Sequence, residues 1–163
     1  MKNIVLIKIF NEFRDIPLRA PESENNIDNR CWGKHRRLYK KLEKKKFKVR
    51  YRVCEFLWSE QKIPENVISV APSDLDKHLF LEVLLNNRWV VIDCSNDSKL
   101  PEYNEWNGTS DCKIGVKYTK ILSIDESVEA EEIEKKNYNI MLPKYIAFHK
   151  ELNKYFNSIR KKS

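Results

Sequence analysis

Hydrophobic residues recur at helical spacing from the start of the chain. Within NIVLIKIFNEFR (residues 3–14), Leu6, Ile9, Phe10 and Phe13 share a face, which predicts an amphipathic helix. Pro17 and the polar run PESENNIDN end it and open a loop. A second helix is expected from Cys31 to about Lys46. Cys31, His35, Leu38 and Leu42 form one stripe, lysines and arginines cover the other side, and only Gly33 weakens the pattern. The period then changes to two. In FKVRYRVCEFLW (47–58), Phe47, Val49, Tyr51 and Val53 alternate with Lys48, Arg50 and Arg52, the pattern of a half-buried strand. Two apolar strands, 78–85 and 88–93, flank Asn86-Asn87, a residue pair that tolerates the positive φ of a tight hairpin turn. A further strand is expected near 114–122 and helices over 125–136 and 144–160. The last helix buries Tyr145, Phe148, Leu152, Tyr155, Phe156 and Ile159. The sum is one α+β domain over residues 1–163: two helices, antiparallel strands, then helices.

A two-residue turn at Asn86-Asn87 fixes the register of the hairpin. Leu85 faces Arg88, Phe80 faces Asp93, and His78 becomes a diagonal neighbour of Asp93 on one face. That face is mixed: His78, Phe80, Glu82, Trp89, Val91 and Asp93. The other is aliphatic: Leu79, Leu81, Val83, Leu85, Val90 and Ile92. Burying the mixed face is costly unless its polar groups find partners.

With 163 residues, 41% hydrophobic and 34% charged, the composition is that of a globular chain with a heavily charged surface. No apolar run approaches the roughly 18 residues of a membrane span. Lys8 interrupts the apolar opening, and no small-residue cleavage site follows it. These features predict a soluble, cytoplasmic protein that does not engage a membrane. The net charge of +7 is concentrated: eleven basic residues and one acid, Glu43, lie between Lys34 and Arg52. Such a strip can attract nucleic acid or an acidic protein, or it can simply keep a helix and a strand wet; the lack of interleaved aromatics favours the latter.

The four cysteines, Cys31, Cys54, Cys94 and Cys112, form no CxxC pair and no zinc-like spacing with the histidines. Cys54 and Cys94 read as strand packing residues. Cys31 stands apart because it opens a helix on its inward stripe, where the positive end of the helix dipole favours thiolate over thiol. If that helix packs on the mixed face of the hairpin, a thiol, an imidazole and a carboxylate converge, as nucleophilic acyl transfer requires. Glu82 competes with Asp93 for the third role from two pleats further away. His35, one turn after Cys31, reads as a packed histidine more readily than as half of a metal pair. Trp32 and Trp58 are candidates for lining a substrate groove, with core packing as the other reading.

In order, RDIP (14–17), CWGK (31–34), VRYRVCEFLW (49–58), HLFLEV (78–83) and RWVVID (88–93) resemble the transglutaminase-like superfamily, papain-like folds with a Cys-His-Asp triad. The likeness spans roughly residues 10–120. It implies Cys31 as nucleophile, His78 as general base and acid, Asp93 as orienting carboxylate, and the Cys31 backbone N–H as an oxyanion donor. Where the family commonly has Gly two residues before the cysteine, this chain has Asn29; after the aspartate stands Cys94-Ser95. The implied activity is thiol-dependent acyl transfer or hydrolysis on a protein or peptide amide, with an amine or water as acceptor and no metal or organic cofactor. The alternative from another class is an idle papain-like module that binds nucleic acid or an acidic protein through the 34–52 strip.

Overall fold

The computed structural model describes residues 2–162. Its elements are α1 (Lys2–Arg14), α2 (Cys31–Lys44), β1 (Val49–Leu57), a short 3-10 turn (Trp58–Glu60), α3 (Glu65–Ile68), β2 (Leu75–Leu85), β3 (Arg88–Ile92), β4 (Tyr118–Ile121) and α4 (Ile124–Ile159). The four strands form one antiparallel sheet in the order β3-β2-β1-β4, flanked by helices. This is the expected α+β class.

The hairpin register is the expected one, with Leu85 opposite Arg88 and Leu81 opposite Ile92. Asn86 and Asn87 both take positive φ, 48° and 61°, the backbone that a tight two-residue turn demands. The helices, however, choose the aliphatic face. Leu6, Ile9 and Phe10 of α1 and Leu38 and Leu42 of α2 pack with Leu81, Val83, Val90 and Ile92. The expectation that α2 lies on the mixed face is therefore corrected for Leu38 and Leu42, because apolar area gains most from leaving water. Only the first turn of α2, with Cys31 and His35, reaches His78 and Asp93 at the end of the sheet pairing. On the mixed face Glu82 is buried between two arginines: Arg50 Nε donates to it at 2.6 Å and Arg52 Nη1 at 2.8 Å.

Other boundaries also differ. α2 stops at Lys44, and Lys46 adopts φ 64° while Lys46 N–H donates to the Glu43 carbonyl and Phe47 N–H to the Leu42 carbonyl. That is a Schellman ending made without glycine, so the sequence gives it no marker. The strand expected over 114–122 shrinks to Tyr118–Ile121. Upstream of it the chain runs beside β3 instead, where Cys112 N–H donates to the Val91 carbonyl. The two C-terminal helices are one 36-residue helix containing Pro143. The carbonyl freed by that proline belongs to Asn139, which is exposed to water. Leu142 and Phe148 are buried on either side of the proline, so packing holds the helix through it. No helix among the described residues is long and apolar enough to cross a membrane.

Candidate active site

β2 begins at Leu75, but its last partner on β3 is the Leu81–Ile92 pair. Beyond Ile92 the chain leaves the sheet, so residues 93–95 follow the last β3 partner of β2. His78 lies in the part of β2 that has no β3 partner, with Cys54 of β1 opposite it on the other side. There His78 Nε2 and Asp93 Oδ2 are 2.7 Å apart, both groups buried. The diagonal contact expected from the hairpin is present.

Asp93 is fully engaged. Oδ2 also accepts from Gly115 N–H at 2.8 Å, and Oδ1 accepts from Ser95 N–H at 2.9 Å and Ser95 Oγ at 2.5 Å. Burial works against its charge, but the His78 cation and these bonds hold the carboxyl well below the usual carboxylate range. For His78, burial also disfavours the charge. The Asp93 carboxylate outweighs it, Cys31 adds to the effect, and the imidazole is raised to about 10. With Nε2 committed to Asp93, Nδ1 is the ring nitrogen available to Cys31.

Cys31 is the first residue of α2, half-buried and packed beside Trp32, Val53 and Leu79. No side chain caps this helix start, so its first N–H groups remain available to an incoming anion. Gly33 sets the approach of the preceding loop: a Cβ there would sit 1.8 Å from the Asp28 carbonyl oxygen. Asn29, two residues before Cys31, has no positive φ. It bridges Arg19 through the backbone and accepts from Arg37 Nη2 at 2.6 Å.

Lys34 joins the sequence fragments singled out above. Its buried ammonium donates to the carbonyls of Arg14 (3.0 Å), Ile16 (2.7 Å) and Ser95 (3.0 Å). The RDIP segment, the helix start and the turn after Asp93 are thereby clasped by one cation. Burial lowers its proton affinity to about 8, partly offset by surrounding anionic groups.

The remaining candidates fall elsewhere. Trp32 is core, buried with Val53, Leu79 and Leu122. Trp58 is half-buried, stacks edge-on against Phe56 and Phe148, and donates through Nε1 to Asp76 at 3.1 Å. Glu82, the rival third residue, is occupied by Arg50 and Arg52. Cys54 and Cys94 are buried thiols pushed up to about 12 by burial; half-buried Cys112 is pushed to the same level by the same cause. Sequence reasoning missed Ser95 and Gly115 as donors to Asp93. Ser95, two residues after a carboxylate, carries a local turn signal; Gly115 carries none.

Among the described residues no group of three or more His, Cys, Asp and Glu side chains is arranged to hold a metal ion. Comparison with protein-family models, with characterised proteins and with solved structures finds no match to this chain.

Proposed function

We propose that the chain is a thiol-dependent acyl transferase or hydrolase acting on amide bonds, built on the papain-like plan of the transglutaminase-like superfamily it resembles. The observation that carries this reading is the 2.7 Å His78–Asp93 contact beside a half-buried cysteine at an uncapped helix start. In this mechanism the reacting form holds one proton between Cys31 and His78: with that proton on His78 Nδ1 the sulfur is a thiolate beside an imidazolium, and it attacks the amide carbonyl. A C–S bond forms, and negative charge on the carbonyl oxygen is met by the N–H groups opening α2. The tetrahedral intermediate then collapses. The C–N bond breaks, the His78 imidazolium gives its proton to the leaving amine, and a thioester on Cys31 remains. An amine or water next attacks the thioester carbonyl while His78 takes its proton; the C–S bond then breaks, the acyl product departs, and the sulfur and His78 again share that proton. Asp93 fixes the ring tautomer and steadies the imidazolium throughout.

The basic strip gives the rival binding-module reading less support. Lys34 is buried, Arg36 pairs with Glu131 and Glu134, Arg37 holds the 28–29 loop, and Arg50 and Arg52 hold Glu82. Lys40, Lys41, Lys44, Lys45, Lys46 and Lys48 are the exposed remainder.

The test is trapping of the acyl-enzyme. The full chain is incubated with p-nitrophenyl acetate and, separately, with a glutamine peptide plus a fluorescent primary amine; adducts are mapped by peptide mass. The expected result is acylation at Cys31 that Cys31→Ala abolishes and His78→Ala slows by about 100-fold or more. Acylation spread over several cysteines, or indifferent to His78→Ala, would overturn the proposal.

A further inference from the structure

One buried histidine has no part in that mechanism. His35 is fully buried, one helical turn after Cys31, and bridges two of the site's elements. Its Nδ1 lies 2.8 Å from the Cys31 carbonyl oxygen and must donate to it. Its Nε2 lies 3.0 Å from Cys94 N and must accept from that N–H. One donation and one acceptance define the neutral Nδ1–H tautomer. The same Nε2 is 3.6 Å from Asp93 Oδ1, and the ring meets that of His78 edge-on with centroids 6.4 Å apart.

We infer that His35 is a positioning residue: its neutral ring bolts the first turn of α2, which carries Cys31, to the strand end that carries Asp93, and it leaves the Asp93 charge to His78 alone. The inference rests on the proposed Cys-His-Asp chemistry and deepens it. Cys31 and Asp93 come from distant parts of the chain, and a shift of about 1 Å between such groups costs on the order of 100-fold in rate. The charged and titratable groups facing the ring agree with its neutrality. Asp93 would draw a proton to it, whereas burial, His78 and Lys34 oppose this, and burial prevails. Were His35 to protonate at Nε2, the Cys94 N–H would lose its acceptor and a second cation would compete for Asp93.

The test compares His35→Phe, which fills the space without hydrogen bonds, with His35→Gln, which keeps a donor and an acceptor but cannot titrate. The readout is the pH profile of Cys31 alkylation by iodoacetamide, mapped by peptide mass, with circular dichroism reporting folding. His35→Phe is expected to slow alkylation near neutral pH about tenfold or more and to move the profile, while His35→Gln recovers the rate to within about threefold. If His35→Phe does not fold, His35→Asn replaces it, since it reaches the Cys31 carbonyl but not Cys94, and the same loss is expected. A folded His35→Phe or His35→Asn with an unchanged profile overturns the inference, as does a His35→Gln that fails to recover. The failures are separable: if His78→Ala slows Cys31 alkylation and His35→Phe does not, only the role of His35 falls. If His78→Ala has no effect, both proposals fall.

Discussion

Asp93 is the residue on which the site turns, because it accepts four hydrogen bonds while buried beside a raised imidazole. Removing one partner of such a pair strands the other, so Asp93→Ala is expected to cost about 3–5 kcal/mol in urea unfolding. An unchanged midpoint and slope would contradict the pairing. The His78–Asp93 contact was legible in the sequence because a period-two hairpin with a two-residue turn leaves only one register. The roles of His35 and Gly115 were not. His35 shares the inward stripe of Leu38 and Leu42, and nothing in a helical pattern tells a packed imidazole from a bridging one. Gly115 reaches Asp93 only because the chain after β3 returns past it, a long-range event with no local signature.

At the scale of elements, the endings were the least legible features. The Schellman ending of α2 places Lys46 at φ 64°, where a side chain is strained. Lys46→Gly is expected to raise stability by about 0.5 kcal/mol in urea unfolding, since relief of strain exceeds the entropy that glycine adds to the unfolded chain. A loss of stability would refute the strain. Gly33 behaves in the opposite way. The Asp28 carbonyl occupies the space of its missing side chain, so Gly33→Ala is expected to destabilise by about 2 kcal/mol or more and to slow Cys31 alkylation together with it. Full retention of both would show that the loop before Cys31 can yield. In the sequence this glycine looked only like a weak point in a helix. The continuity of α4 was hidden in a similar way, because Pro143 reads as a stop until burial on both sides of it is known.

Across the whole molecule, protonation links the site to stability. His35 and His149 are both held down to about 4, mainly by burial. Their ordinary value is 6.5, so the unfolded chain binds protons that the native state refuses, and stability present above that value is lost as pH falls from 6.5 towards 4. Each costs about 2 kcal/mol at pH 5, so Tm should drop between pH 7 and pH 5. His149→Gln, keeping a donor to the Pro21 carbonyl, should flatten the drop. A Tm indifferent to acid would count against both buried neutral rings. His78 has the opposite sign: its contribution is complete below 6.5 and disappears as pH rises through about 10. Asp93 contributes above the ordinary carboxylate value, and that contribution is lost as pH falls through its depressed native value. The central claim is that folding gives Cys31 an imidazole with which to exchange its proton. Its most direct test is a brief pulse of iodoacetamide at mildly acidic pH, followed by peptide mapping of all four cysteines. Cys31 should carry the label well ahead of Cys54, Cys94 and the similarly half-buried Cys112, and His78→Ala should erase that lead. Slow, even labelling, or a lead that survives His78→Ala, would contradict the claim.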